Sequence, residues 1–428
     1  MIVADTGIPS AVTESRAGRG IFRLRPAPGK PGRLNFIDVL RGWAVLVMIE
    51  THVLNGMLDP IHTHSLAFKV LNFINGLVAP AFLFASGMAF ALATRRKLAD
   101  YLSLRPPLFR QLGRLGLLFI IGYGLHIPKF EYHHLRYDAG EAAWRSFAQV
   151  DVLQCIAVSL LILLLLLLML RTERRVYAAA GVLLTGIVFT TPLIWEIDFW
   201  NLLPIPLAEY FNGLHASLFP LFPWAAFVLA GALSGYYYLE SSGAATRSSA
   251  LLPGHPAGPA VVRAGPAGAR AGMLRFVWLG IAMAAASFMV EPLASGLYPV
   301  YDYWKTSPSF TMLRMGLVML ILAGLYFYER ARGFSPSSLL ALAGRESLLV
   351  YSVHLMIIYG NFNGPHLVDR IAFRFGFPEV FGLSALLIAL MVVLALVWNL
   401  IKAGPAWIHR GVELAVVAGF AYVFFVGI

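Results

Sequence analysis

Eleven segments of this chain are apolar and long enough to cross the hydrocarbon core of a membrane, which is about 30 Å thick. They share long runs of Leu, Ile, Val, Phe and Ala, and they lie at residues 36–58, 66–94, 108–127, 150–170, 177–195, 216–239, 274–293, 311–328, 347–361, 380–401 and 407–428. The chain is 59% hydrophobic and 13% charged, whereas a soluble domain is about half apolar and a quarter charged. Because lipid cannot satisfy backbone hydrogen bonds, the sequence predicts an all-α, polytopic membrane helix bundle with about eleven transmembrane helices.

Positive charge alternates between the loops that join these segments. Lys and Arg concentrate in the N-terminal tail and in the loops at residues 95–114, 171–175, 240–275, 329–345 and 402–410. The loop at residues 191–215 has neither. The positive-inside rule then places the N-terminus in the cytoplasm. We therefore attribute the net charge of +11 to the orientation of the loops in the membrane and to their contact with anionic lipid. No nucleic-acid partner is expected.

The chain divides into four predicted parts. Residues 1–32 are basic, lack the apolar core of a cleavable signal peptide, and are expected to form a disordered cytoplasmic tail. Residues 33–239 hold helices one to six, residues 240–272 form an Ala/Gly/Pro-rich cytoplasmic linker, and residues 273–428 hold helices seven to eleven. The single cysteine, Cys155, excludes an intramolecular disulfide and a zinc cluster of cysteines. No nucleophile elbow, P-loop or HExxH box occurs, which disfavours a soluble-type hydrolase or an ATPase.

The first apolar segment carries ionisable residues on one face. On a helix, Asp38, Arg41 and His52 fall within roughly 60° of one another, and Arg41 lies roughly 16 Å from His52 along the axis. Ionisable groups inside a membrane are costly, so this face should look into a protein cavity. His52 suits proton transfer, and the alternative is a structural hydrogen bond to a neighbouring helix. Glu50 points roughly 160° away from His52.

Other polar residues stand at helical spacing within apolar segments. They are Ser347, Tyr351 and His354 at i, i+4 and i+7, Asp151 with Gln154, and Asn72 with Asn75. These side chains either orient a base and stabilise an oxyanion, or join helices through hydrogen bonds. Pro220 and Pro223 predict a break near one end of the sixth segment.

Two loops flank the ionisable face of the first segment. The loop after that segment contains His62 and His64, which either serve as a base or are ordinary loop residues. No carboxylate or Cys cluster accompanies this His-x-His pair, so no metal is expected. On the opposite side, Arg110 and Arg114 belong to a cationic loop beside Arg41. That loop is a topology signal whose charge would also suit the phosphates of a nucleotide-containing donor.

Five motifs, in this order, resemble the transmembrane acyltransferases, in the bacterial branch related to heparan-α-glucosaminide N-acetyltransferase. They are IDVLRG at residues 37–42 with His52 ten residues later, APAFLFASG at 79–87, DVLQCIA at 151–157, FPLFPWAAFVLAG at 219–231 and AGRESLLVYSVH at 343–354. The resemblance implies transfer of an acyl group, usually acetyl, from cytoplasmic acyl-CoA to a sugar or glycan outside a bacterial inner membrane. The implied partners are the lipid bilayer, acyl-CoA as co-substrate and a carbohydrate acceptor, with a homodimer left open.

The resemblance also implies roles for individual residues. His52 matches the histidine after the Arg-Gly box of bacterial relatives, and His354 matches a late motif. His62 or His64 would correspond to the catalytic histidine of the heparan enzyme, with His64 the better fit. The implied donor-binding residues are Asp38, Arg41 and Gln154, joined by Arg110 and Arg114 of the basic loop. The candidate acceptor and oxyanion residues, which come from the helical spacing above, are Ser347, Tyr351, Asn72 and Asp151. Cys155 stands where relatives often place Arg, which removes one expected anionic contact.

Two other functions also fit parts of the sequence. In a proton-coupled transporter of small solutes, His52, Glu50 and His354 would form a proton relay. The chain has no convincing internal repeat, which counts against an inverted-repeat transporter. A non-catalytic membrane scaffold would leave the shared face of Asp38, Arg41 and His52 unexplained.

Overall fold

The computed structural model describes residues 34–243, 246–247, 261–262, 265–333, 338–360 and 367–426. The predicted tail at residues 1–32 lies outside these ranges. The helices are α1 (Asn35–Met57), α2 (Leu66–Asn75), α3 (Val78–Arg95), α4 (Leu98–Leu102), α5 (Pro106–Gly124), α6 (Glu141–Phe147), α7 (Val152–Leu170), α8 (Glu173–Ile194), α9 (Ile205–Ala208), α10 (Leu221–Ser241), α11 (Pro266–Leu297), α12 (Pro308–Arg332), α13 (Leu339–Arg345), α14 (Ser347–Tyr359), α15 (Leu367–Ile371), α16 (Phe377–Ala403) and α17 (Ala406–Val426). Short 3₁₀ turns occur at Pro60–His62 and Phe199–Asn201, and a π-helical turn at His134–Asp138. Two short strands, β1 (Thr246–Arg247) and β2 (Val261–Val262), form one antiparallel pair.

Each predicted apolar segment coincides with a helix or a broken helix. Within the described part of the chain, seven helical stretches are long and apolar enough to cross a membrane, and the bent pair α13–α14 would be an eighth. Helices α1, α5 and α10, of 23, 19 and 21 residues, fall outside this set of seven. A helical membrane fold is thus confirmed, whereas the total of eleven spans and the cytoplasmic N-terminus stay predictions.

The long helices share two ends, which fix the names used below. The Phe36 amide donates to Glu329 Oε2 at 3.0 Å, and the Phe36 ring meets the Tyr238 ring at 6.1 Å. Arg95 pairs with Glu240 at 2.5 Å. The start of α1 and the ends of α3, α10 and α12 therefore lie together at one end of the bundle, called the basic face. The opposite end, where α1 ends and α7 and α12 begin, is called the far face.

Glycines bring α1 into backbone contact with α13. A Cβ at Gly42 would lie 1.9 Å from the Leu340 carbonyl oxygen, and one at Gly344 would lie 1.8 Å from the Asp38 carbonyl oxygen. Small residues permit such close approach inside membranes, where packing drives helix association. Helix α1 also packs against α3, α12, α14 and α16, so helices of both predicted bundles surround it. The division into two bundles stays a prediction, and α11 begins at Pro266, inside the predicted linker.

Two helix breaks shape the interior. The break predicted from Pro220 and Pro223 is found at Phe222, whose φ and ψ are −100° and 111° and whose carbonyl accepts a hydrogen bond from Trp195 Nε1 at 2.9 Å. The second break separates α13 from α14 at Glu346, with a bend of 84°. The ninth predicted segment is therefore a helix of 13 residues that begins inside the bundle instead of at its surface.

Candidate functional site

The ionisable face of α1 and the polar stripe of α14 face each other. Arg41 Nη2 donates to Ser347 Oγ at 2.8 Å, and the ring centroids of His52 and His354 are 5.5 Å apart. Arg41 and His52 are eleven residues apart on α1, so these two contacts are separated by about 16 Å along the helix. Two sequence patterns with helical periodicity thus meet in one site.

His354 is held in a defined tautomer. Its side chain is fully buried, and Nδ1 lies 2.8 Å from the Val350 carbonyl oxygen. Because a carbonyl oxygen only accepts, Nδ1 must carry the proton and Nε2 must present a lone pair. Within the described residues, this Nε2 is buried and has no hydrogen-bond partner. The ring can therefore accept a proton or a hydrogen bond from a group that enters the site.

His52 is the more exposed of the two histidines. It stands between the rings of His354 and Tyr359, each with a centroid distance of 5.5 Å. The Tyr359 hydroxyl donates to the His52 carbonyl oxygen at 3.3 Å. The sequence did not predict Tyr359 as a site residue. It follows His354 by five residues and therefore does not lie on the polar stripe of α14. Only the packing of α14 on α1 shows its position.

A buried tyrosine links the histidine pair to α7. The Tyr351 hydroxyl donates to Asp151 Oδ2 at 2.6 Å, and the Tyr351 ring lies 5.8 Å from the His354 ring. Asp151 caps the start of α7 and forms a capping box with Gln154. Gln154 is fully buried against Gly122, where a Cβ would lie 2.6 Å from its side chain. The predicted Asp151–Gln154 pair therefore serves as a helix cap and also reaches the site through Tyr351.

Arg41 lies inside the bundle, about 9 Å along α1 from Asn35. Its guanidinium carbon lies 5.7 Å from the centroid of the Phe82 ring. Asp38, almost one turn earlier, is 4% exposed. A guanidinium held between an aromatic ring and the Ser347 hydroxyl can bind an anionic or carbonyl oxygen of a ligand.

The structure places four predicted site residues away from this pair of helices. His64 is exposed in the loop after α1, and Asn72 is exposed on α2. Arg110 and Arg114 are exposed on α5, which packs against α7 and α4. Their roles stay predictions. Among the residues that the structure describes, no three His, Cys, Asp or Glu side chains come together as a set of metal ligands.

A second group of polar side chains brings Arg314, which the sequence did not single out, close to Asn75 and Glu50, which it did. The Arg314 guanidinium of α12 lies 3.8 Å from the Phe310 ring centroid and 5.8 Å from that of Trp224, and no carboxylate of the described residues pairs with it. Asn75 is 7% exposed, and neither of its amide atoms has a hydrogen-bond partner within the described ranges. Its side chain adjoins Glu50. A single arginine in the apolar segment 311–328 is the sequence signal that could have indicated this cluster.

A loop on the far face packs against the start of α7. The amide of Phe219 donates to the Val150 carbonyl oxygen at 3.0 Å. Asp198 and His215 form an ion pair at 2.8 Å, and the Trp200 ring stacks on His215 with centroids 3.7 Å apart. The hydrogen bond with His215 is the main reason that the pKa of the Asp198 carboxyl lies below its ordinary value. These contacts order the loop beside the Asp151 cap.

Comparison with known families finds a match for the first part of the chain. The family model for the catalytic region of heparan-alpha-glucosaminide N-acetyltransferase matches residues 33–267, which is more than half of the 428 residues. The match includes α1 and α7 but ends before α14. A search of curated proteins finds no match. The chain belongs to the heparan-alpha-glucosaminide N-acetyltransferase catalytic family and is a membrane acetyltransferase by that membership.

Proposed function

We propose that the protein transfers an acetyl group from acetyl-CoA, bound from the basic face, to a hydroxyl or amine of a carbohydrate at the far face. The basic face would lie in the cytoplasm and the acceptor outside a bacterial inner membrane, as the loop charges predict. The observation that carries the proposal is the pairing of α1 with α14. It combines a half-buried arginine with two adjacent histidines about 16 Å farther along.

Acetyl-CoA would lie along α1 between the Arg41–Ser347 contact and the His52–His354 contact. Arg41, supported by Ser347 and Phe82, would bind a phosphate or amide oxygen of acetyl-CoA. The pantetheine arm would then follow the shared face of α1 and bring the thioester close to His52.

The transfer step requires one base. A ring nitrogen of His52 takes the proton from the acceptor O–H or N–H as that atom bonds to the thioester carbonyl carbon. The tetrahedral intermediate then collapses, the carbon–sulfur bond breaks, and the CoA sulfur leaves and takes the proton from the imidazolium. The products are CoA and an acetyl ester or amide.

His52 is assigned as the base because it is the more exposed histidine of the pair. The ring of His354 packs against the ring of His52 and positions it. Tyr351, which is held by its hydrogen bond to Asp151, positions His354 in turn. His64 is the alternative base that the family resemblance implies.

The reaction can be tested with purified protein in nanodiscs, radiolabelled acetyl-CoA and a panel of amino sugars and glycans. His52→Ala should lose about 10²- to 10⁴-fold in rate, the range for a general base, with an unchanged Tm. His133→Ala, an exposed histidine in a far-face loop, is the matched control and should keep its rate. Activity retained in His52→Ala but lost in His64→Ala would move the base to His64.

The side of donor binding can be tested in sealed proteoliposomes of known orientation. Acetyl-CoA should support transfer only when it is supplied to the basic face. Arg41→Lys should raise KM for acetyl-CoA, because lysine offers a point charge instead of a planar guanidinium. Uptake of solute without binding of CoA would refute the acetyltransferase and favour a transporter.

A further inference from the structure

A pocket opens on the side of the bundle near the basic face. It has a volume of about 470 Å³ and lies between α8, α10, α11 and α12. Arg174 and Arg275 line it, and Phe276, Leu279 and Met319 form apolar walls. This volume falls in the range of about 300–1,000 Å³ that is typical of ligand sites. None of these residues belongs to the α1–α14 site.

The charged part of the pocket is cationic. Two carboxylates lie nearby, those of Glu173 and Glu240, and Arg95 engages both at 2.8 and 2.5 Å. No carboxylate of the described residues pairs with Arg174 or Arg275. Two guanidinium groups thus remain available to an anion at this boundary.

Tyrosines fix the geometry of the same wall. Arg275 Nη1 donates to the Tyr237 hydroxyl at 2.7 Å, and its guanidinium lies 5.8 Å from the Tyr237 ring centroid. The rings of Tyr177 and Tyr236 stack with centroids 4.4 Å apart. Tyr177 is only 4% exposed, so this stacked pair packs α8 against α10 beneath the pocket. The hydrogen bond with Tyr237 holds Arg275 in place before any ligand binds.

The remaining part of the pocket faces the lipid. Leu279 lies about 6 Å deeper in the membrane than Arg275 and is 49% exposed. The adjacent Trp278, on the same membrane-facing stretch of α11, is 69% exposed. An anion without an apolar chain would leave the apolar walls of the pocket without a contact. A ligand that carries a phosphate beside an acyl chain would contact both the arginines and the apolar walls.

We infer that this pocket binds an anionic phospholipid, with its phosphate between Arg174 and Arg275 and one acyl chain against Phe276 and Leu279. Two features favour a phospholipid as the ligand. The arginines at the rim complement a negative charge, and the apolar wall opens toward the bilayer. Basic pockets between transmembrane helices hold anionic headgroups for the same reason. The proposal does not depend on the acetyl-transfer reaction.

The test compares retained lipid by native mass spectrometry after reconstitution in nanodiscs of phosphatidylcholine with phosphatidylglycerol. Arg174→Gln with Arg275→Gln should weaken phosphatidylglycerol binding by roughly 20- to 30-fold, at about fivefold per arginine. Arg175→Gln with Arg270→Gln is the matched control. It removes two exposed charges from the same two helices outside the pocket, and it should bind phosphatidylglycerol like the wild type.

A second variant separates lipid from a soluble phosphate. Ala178→Phe fills the pocket at an exposed position without changing charge, and it should also release the lipid. Adenosine 3′,5′-bisphosphate serves as the soluble probe in nanodiscs of phosphatidylcholine alone. Binding of this probe that is lost in the Arg174/Arg275 double variant would identify a soluble phosphate as the occupant and overturn the proposal. Equal phosphatidylglycerol retention by the double variant and its control would overturn it as well.

Discussion

Replacing Gly42 by Ala tests whether the contact of α1 with α13 sets the geometry of the site. The new Cβ would lie 1.9 Å from the Leu340 carbonyl oxygen, whereas ordinary contact begins at 3.4 Å. The helices must therefore separate by about 1.5 Å, the difference between these distances. The obstacle is backbone, so no side chain can rotate away. We expect an overpacking cost of about 1–3 kcal/mol and a lower Tm.

The same separation should reach the proposed donor site. Arg41 directly precedes Gly42, and Ser347 follows α13, so the hydrogen bond of 2.8 Å between them would be stretched. A displacement of about 1 Å in a catalytic site can cost 10²-fold in rate. We expect kcat/KM for acetyl transfer to fall about 100-fold at a temperature where the variant is still folded.

The assay pairs thermal unfolding in detergent with the initial rate of acetyl transfer. Gly181→Ala in α8 is the control, because no atom lies within 4 Å of the position of its Cβ. That change should stabilise the helix by about 0.5–1 kcal/mol and leave the rate unchanged. A Gly42→Ala protein with wild-type Tm and wild-type rate would refute the claim that this contact fixes the site.

Three further predictions concern other parts of the molecule. Tyr351→Phe removes the hydroxyl that donates to Asp151 Oδ2 and should cost about 1.5–3 kcal/mol in thermal unfolding, and an unchanged Tm would contradict this. The pKa of Asp198 lies below its ordinary value near 3.8 because of its hydrogen bond with His215, so the ion pair stabilises above that pH and loses its effect as pH falls through the lowered pKa. Below about pH 4, Tm should therefore fall more steeply in the wild type than in Asp198→Asn, and parallel curves would argue against it. Cys155 is fully buried and is the sole cysteine, so the folded protein should not react with a maleimide until it is denatured.

Helical periodicity predicted the two polar faces of the site well. The stripe of Ser347, Tyr351 and His354 and the face of Arg41 and His52 both follow from spacing along one helix. Sequence alone left open whether these side chains join helices or serve chemistry. The family resemblance added His64, which the structure places in an exposed loop, as the sequence predicts. Periodicity describes one helix and contains no information about the neighbour that each face meets.

Composition and apolar length alone determined that this chain is a helical membrane protein, because lipid leaves backbone hydrogen bonds to be satisfied within each helix. Tertiary structure decided which polar residues meet. Tyr351 reaches Asp151 across 200 residues of sequence, and His52 meets His354 because Gly42 and Gly344 let α1 approach α13. It also decided the position of the lipid pocket, whose walls come from four separate helices. Such contacts depend on helix packing, which follows from the shapes of many side chains together and not from any local pattern.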